Sequence, residues 1–189
     1  YVGESTALVA DAAIEPVLDN PVPSLPVTVT SHDLAGDVEV TVDDASRIVA
    51  MDLSGSLAAT VWGLGLGDAL VGRDTSTTFP GTEELPEVTS GGHNVNAESV
   101  LGLDPSVVIT DGSIGPIDVV LQLRDAGIAV VFVDTATSYA AAEQQSREVA
   151  AALGVPEAGE LLAERIRSQV ESTVKQIAAL APPEEAERL

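Results

Sequence analysis

The chain has 189 residues, 45% hydrophobic and only 3% aromatic, with 30 acidic residues against 8 basic ones for a formal charge of −22. So acidic a surface repels nucleic acid, whose binding needs Lys and Arg to displace counterions, and it disfavours anionic lipid headgroups. The absence of cysteine excludes disulfides, thiolate metal sites and cysteine nucleophiles, and no apolar run approaches the ~20 residues of a membrane span.

Residues 1–26, rich in Pro, Asp and Ala without periodicity, read as an extended N-terminal arm outside the core. No signal peptide or lipobox cysteine opens the chain, so an exported form is expected to have lost that part. Val27–Thr30 and Val38–Val42 alternate apolar and polar residues across Ala35-Gly36-Asp37, which predicts a β-hairpin with His32 as a solvated turn histidine. Strands and helices then alternate. Arg47–Asp52 is a predicted strand, Ser54-Gly55-Ser56 a turn offering Ser as a helix cap, Leu57–Leu66 a helix centred on Trp62, and Leu70–Gly72 a short strand. Glu98–Leu103 is a short helix stopped by Pro105, and Val107–Thr110 a buried strand. Ile117–Ala126 is a helix closed by Gly127, Ala129–Val133 a strand, and Ala140–Leu153 a helix ended by Gly154.

Short strand–helix connections and an aliphatic core predict an α/β lobe over residues 27–154, with a doubly wound, mainly parallel sheet. Ligands of such sheets bind outside the carboxyl ends of the strands, here the loops Asp52–Ser56, Arg73–Pro80, Ser90–Asn96 and Asp111–Pro116. From Pro156 onward Leu162, Ile166, Val170, Val174 and Ile177 follow one helical stripe, predicting a single long helix within residues 155–181. Pro182-Pro183 ends it, and residues 182–189 form an unpatterned acidic tail.

The run Ser90-Gly91-Gly92-His93-Asn94-Val95-Asn96-Ala97-Glu98 places one of the two histidines in a glycine-rich loop at the ligand edge. The glycines allow a flat ligand to approach the backbone, and the imidazole is free to project into a cleft. On residue type alone the favoured reading of His93 is a loop histidine serving as a hydrogen-bonding group at a helix N-terminus. Asn96 is a plausible N-cap, and Glu98 at the second helical position complements the helix dipole by about 0.3–1 kcal/mol. Arg73 is a candidate partner for a ligand carboxylate, or else a local ion pair with Asp74 or Asp52. Ser54, Ser113 and the hydroxyls of 75–78 are weaker hydrogen-bonding candidates.

Enzymatic readings find no motif. Gly63-x-Gly65-x-Gly67 lacks the third glycine of a dinucleotide fingerprint, Gly112-Ser113-Ile114-Gly115 is one residue short of a nucleophile elbow, and no P-loop exists. Two histidines cannot supply a three-histidine metal site. Asp43-Asp44 and Glu83-Glu84 read as solvated charges.

His93-x-x-Asn96-Ala97-Glu98, then Val100-Leu101-x-Leu103-x-Pro105-x-Val107-Val108 and Thr110-Asp111, resemble the substrate-binding proteins of bacterial haemin ABC importers. The resemblance covers nearly the whole chain and is strongest from Arg47 to Leu180. It implies a non-catalytic, extracytoplasmic carrier, a cell-surface lipoprotein or periplasmic, reaching the membrane only through a lipid anchor upstream of this chain. It implies that His93 is an axial ligand of haem iron and that Glu98 docks on the transporter's permease subunits; by loop position and residue type Ser54, Arg73, Gly91, Gly92, Asn94 and Ser113 are then the pocket candidates. It also implies that the long helix is a spine between two lobes, so that the chain holds the first lobe and spine, with the opposite iron ligand, a tyrosine, in the second lobe. Siderophore or cobalamin carriers of the same fold, and a non-catalytic protein-interaction domain, are the alternatives.

Overall fold

The computed structural model describes residues 12–180. The expected tail 182–189 and the first eleven residues of the expected arm lie outside that range. Four short strands form the central sheet: β3 (Ile48–Met51), β4 (Leu70–Arg73), β7 (Val107–Thr110) and β8 (Ala129–Phe132), in the order β4-β3-β7-β8 and all parallel. Preceding them, β1 (Val27–Asp33) and β2 (Gly36–Val42) form the expected hairpin; β5 (Thr89–Ser90) and β6 (Asn94–Val95) form a second, two-rung hairpin. The helices are α1 (Ser56–Val61), α2 (Ala97–Gly102), α3 (Ile117–Asp125), α4 (Tyr139–Ala152) and α5 (Pro156–Leu180).

Every residue of β3 and β7 is buried, because helices cover both faces of the sheet. On one face Ile48, Ala50, Ile109 and Val131 pack with Leu57 and Val61 of α1, Val149 of α4, Leu153 just after it, and Leu162 of α5. On the other, Val49, Met51, Val108, Val130 and Phe132 pack with Val100 of α2 and Val120 and Leu123 of α3. Since β3 leads to β4 on one side and the chain then returns to β7 on the other, the winding reverses between β3 and β7, where ligand crevices form in such sheets.

Several sequence expectations are corrected. The expected helix Leu57–Leu66 is α-helical only to Val61; Trp62–Leu66 forms a π turn and Gly67–Ala69 a 3-10 turn. Gly65 causes the break. Its φ of 91° is open to glycine, and a Cβ there would stand 2.0 Å from the Leu18 carbonyl oxygen. That carbonyl belongs to the expected arm, whose described part, residues 12–26, is irregular but lies against the core rather than outside it. Val17 donates to the Gly63 carbonyl (2.8 Å), Ser24 to that of Gly154 (2.8 Å), and Val17, Leu18 and Leu25 pack on the first core face.

His32 is in β1 rather than in a turn, half-buried opposite Asp37. The β1–β2 hairpin covers the β8 edge. Ser31 Oγ accepts the Phe132 N–H (2.8 Å), and Arg124 of α3 grips Asp33 at 2.5 and 3.1 Å, with its guanidinium 5.8 Å from the Phe132 ring centre. An edge strand is thereby shielded from pairing with another chain.

Twenty-five residues of α5 span about 37 Å at ~1.5 Å each. Its first half is held on α4, with Gly159 against Ala150 and Arg147 bonded to Glu160 at 3.0 Å. Beyond Val170 every residue is exposed, including Val174 and Ile177 at 58% and 63%. No helix among the described residues is long and apolar enough to cross a membrane.

Candidate ligand edge

At the carboxyl ends of the strands, four segments are joined into a closed circuit by hydrogen bonds. The segment after β3 binds the one after β4 twice, from Asp52 N to Asp74 Oδ2 (3.0 Å) and from Ser76 Oγ to the Leu53 carbonyl (2.7 Å). The segment after β4 binds the β5–β6 hairpin, Thr75 N donating to Thr89 Oγ1 at 3.0 Å. The hairpin binds the segment after β7, Val95 N donating to the Gly115 carbonyl at 2.7 Å. That segment returns to the first through Leu53 N and Ser113 Oγ at 2.9 Å. Fixed edges of this kind hold contact residues in one geometry for a ligand.

Two buried carboxylates organise the circuit, and sequence reasoning missed both. Asp52 accepts the N–H groups of Ser54, Ser56 and Leu57 at 3.1–3.2 Å and the hydroxyls of Ser54 and Ser56 at 2.5 and 2.8 Å. It therefore caps α1 in place of the expected serine, since the residue at the cap position, Gly55, is left-handed and has no side chain to offer. Asp74 accepts from Ser76 N, Thr77 N and the Thr77 hydroxyl at 2.8–3.1 Å. Burial pushes its carboxyl above the usual range, with the nearby Asp52 charge acting the same way, against the lowering effect of its hydrogen bonds. An acid at the end of each of two adjacent parallel strands, followed by serines or threonines within four residues, is the signal that could have found them.

His93 stands at the tip of the β5–β6 hairpin. Thr89 pairs with Val95 and Ser90 with Asn94, leaving Gly91, Gly92 and His93 as the loop. The positive φ of Gly91 (57°) and Gly92 (95°) turns the chain in three residues, and a Cβ on Gly92 would meet nothing within 4 Å. The ring is exposed, and among the described residues no hydrogen bond or ion pair engages it. The alternative of a hydrogen-bonding group at the helix start is excluded by Asn96, whose side chain fills that place by accepting Ser99 N at 3.0 Å. Glu98 follows in the first turn of α2, exposed.

The other expected residues are placed unevenly. Ser54 and Ser113 are exposed on the circuit, but their hydroxyls already donate to Asp52 and Asp111, both at 2.5 Å. Asn94 is exposed beside His93, its amide 3.4 Å from the Gly91 carbonyl. Arg73 ends β4 instead of lying in the loop. Its guanidinium is half-buried, 3.8 Å from Glu87 and 3.4 Å from the carbonyls of Asp74 and Thr77, so its ion pair is with Glu87 and not with the expected Asp74 or Asp52 carboxylates. Two apolar side chains missed in the sequence are exposed at this edge: Leu53, 53% exposed within the circuit, and Leu34, 73% exposed at the tip of the first hairpin and facing Gly112. The arrangement presents one free imidazole, two leucines and a ring of backbone and hydroxyl groups, with no nucleophile–base pair.

A family model described as periplasmic binding protein matches residues 49–186. The chain is 29% identical over 163 residues, 85% of its length, to the uncharacterized ABC transporter substrate-binding lipoprotein YvrC of Bacillus subtilis (strain 168), of which it covers 50%. It is 38% identical over 113 residues to a cobalamin-binding protein of Halobacterium salinarum, covering 58% of this chain and 30% of that one. Among solved structures it superposes on the heme binding protein HmuT with a TM-score of 0.86 and 42% identity, covering 94% of this chain and 56% of that one. The periplasmic heme-binding protein RhuT from Roseiflexus sp. RS-1, in apo form, gives 0.66 and 32%, covering 74% and 53%. The chain thus spans about half the length, or less, of the relatives it matches.

Proposed function

The chain belongs to the periplasmic binding protein family, and from that premise we propose that it is the first lobe and spine of an extracytoplasmic haem carrier serving an ABC importer. The observation that carries this reading is His93, free of partners among the described residues, on a glycine tip at the carboxyl edge of the sheet. A neutral imidazole held clear of the backbone is what haem iron needs as an axial ligand. Leu53 and Leu34 offer apolar contact for the macrocycle, and Ser54, Asn94 and Ser113 border it. Arg73, drawn in by Glu87, acts on a propionate only as part of that pair. The match to two haem-binding proteins of known structure supports the ligand, and the lipoprotein and periplasmic relatives support the location. The carrier performs no chemistry on its cargo.

The first lobe closes on haem against a second lobe borne at the far end of α5, whose apolar stripe is bare beyond Val170. The relatives' greater length supports this, as does the exposure of Val174 and Ile177. The cobalamin-binding relative in Halobacterium favours one second reading, a corrinoid carrier in which His93 is an ordinary pocket residue. Titration of the two-lobed protein with haemin and, separately, with cobalamin decides between them. A saturable Soret shift with one haem per protein is expected. No shift with haem, beside stoichiometric cobalamin binding, overturns the haem reading.

A further inference from the structure

Away from the ligand edge, His32 of β1, Asp134 just after β8 and Glu148 of α4 converge, with ligand atoms all within 4.8 Å of one another. Asp134 and Glu148 both lie more than a hundred residues from His32, and each of the three contributes one donor to a mixed nitrogen and oxygen set.

The imidazole is already oriented. Asp37, directly across the hairpin, engages Nδ1 at 3.0 Å and leaves Nε2 for another partner. A carboxylate behind the ring is the usual support of a metal-bound histidine, fixing its tautomer and raising its basicity. Glu148 is held as well, accepting from Gln144 Nε2 at 3.0 Å and from Asp134 N at 3.4 Å. Among the described residues no arginine or lysine pairs with Asp37, Asp134 or Glu148, so no fixed positive charge offsets these three carboxylates. A cavity of about 450 Å³, lined by His32, Asp37 and Glu148 over a floor of Val131 and Val133, opens beside the group and leaves room for waters. The formal charge of −22 raises the local concentration of cations.

We propose that His32, Asp134 and Glu148 bind a divalent transition-metal ion, zinc by donor type, with Asp37 as the supporting carboxylate and water completing the coordination. One imidazole and two carboxylates suit zinc better than calcium or magnesium, which take oxygen ligands. The ion fastens the β1–β2 hairpin to α4 and to the segment after β8, and it is independent of the haem proposal.

The test is zinc titration of the full 189-residue chain at pH 7.5 after chelator treatment, in competition with a chromophoric chelator. One zinc per chain is expected, with affinity lowered more than tenfold in His32→Ala and in Glu148→Gln and unaltered in His93→Ala. Glu148→Gln keeps the side-chain shape, so it remains informative if His32→Ala loosens the hairpin; circular dichroism checks the fold of each. Wild-type affinity no greater than that of the two variants, or loss of the zinc in His93→Ala alone, overturns the site.

Discussion

His93 and Glu98 lie five residues apart, and in the proposed carrier the first turns to the cargo while the second is available to the transporter. In the proposed two-lobed protein His93→Ala is expected to shift the haem absorption spectrum and weaken retention, because the ring has no structural partner to lose among the described residues. An unchanged spectrum removes His93 from the iron. Glu98→Ala is expected to leave haem binding intact and to cost under about 1 kcal/mol of stability, the value of a carboxylate at a helix start. Its effect belongs in transporter-stimulated uptake or ATPase activity. Normal coupling in that variant reduces Glu98 to its part in α2.

At the scale of elements, two appendages on the sheet are held by different physics. The β1–β2 hairpin depends on the Arg124–Asp33 pair. Burial pushes the Asp33 carboxyl up, yet the hydrogen bonds and charge of Arg124, with the Ser31 hydroxyl, outweigh it and hold the group below its ordinary 3.8. Its folded value lies below the unfolded one, so the stabilisation is whole above about pH 4 and fades as pH falls through the lowered value. Asp33→Ala is therefore expected to cost about 1.5–3 kcal/mol at neutral pH, as for hydrogen bonds to charged groups, and to show less of a deficit in acid, as pH falls below the ordinary 3.8 and through the lowered value. Urea midpoints at the two pH values measure this, and a deficit that persists in acid contradicts it. The strap of residues 12–26 instead depends on the absence of a side chain. In Gly65→Ala the Cβ collides with the Leu18 carbonyl and the residue takes a left-handed conformation costing about 1–2 kcal/mol by itself. A melting temperature lower by roughly 4–8 °C is expected for a total near 2 kcal/mol. An unaltered melt shows that the strap yields freely.

The molecule as a whole has a core covered on both faces of its sheet and an apolar stripe left exposed at the end of α5. Both faces of the sheet are covered by helices, so the 189-residue chain is expected to unfold cooperatively by itself. Its ligand edge is open, with one imidazole and one wall of apolar contact. Haem is expected to bind this chain more weakly than the two-lobed protein by several factors of ten, each about 1.4 kcal/mol. The bare stripe of Val174, Ile177 and Leu180 is expected to associate or fray, which light scattering reads as mass. Equal haem affinity in the two forms abandons closure between lobes.

Most element types and their order were legible in the sequence because each rests on a local signal: β-branched runs for β7 and β8, glycines after α3 and α4, a helical stripe for α5; the two-residue strands β5 and β6 carry no such signal and were not expected. The ligand edge was legible for a similar reason, since parallel winding puts the loops after the strands on one side whatever their content. Asn96 as a cap and Glu98 in the first turn follow from three consecutive positions. Tertiary structure alone decided the rest. Asp74 joins two loops because neighbouring strands bring their ends together, and a buried carboxylate must collect donors wherever the fold supplies them, whereas Asp52 caps α1 with donors only two to five residues along the chain. Arg73 went to Glu87, brought close by chain running parallel beyond β4. Gly65 broke its helix because a strap some 47 residues upstream crosses it, and His32 met Asp134 and Glu148 across more than a hundred residues. Periodicity along the chain reports which face of an element is buried; it carries no record of which distant side chain arrives there.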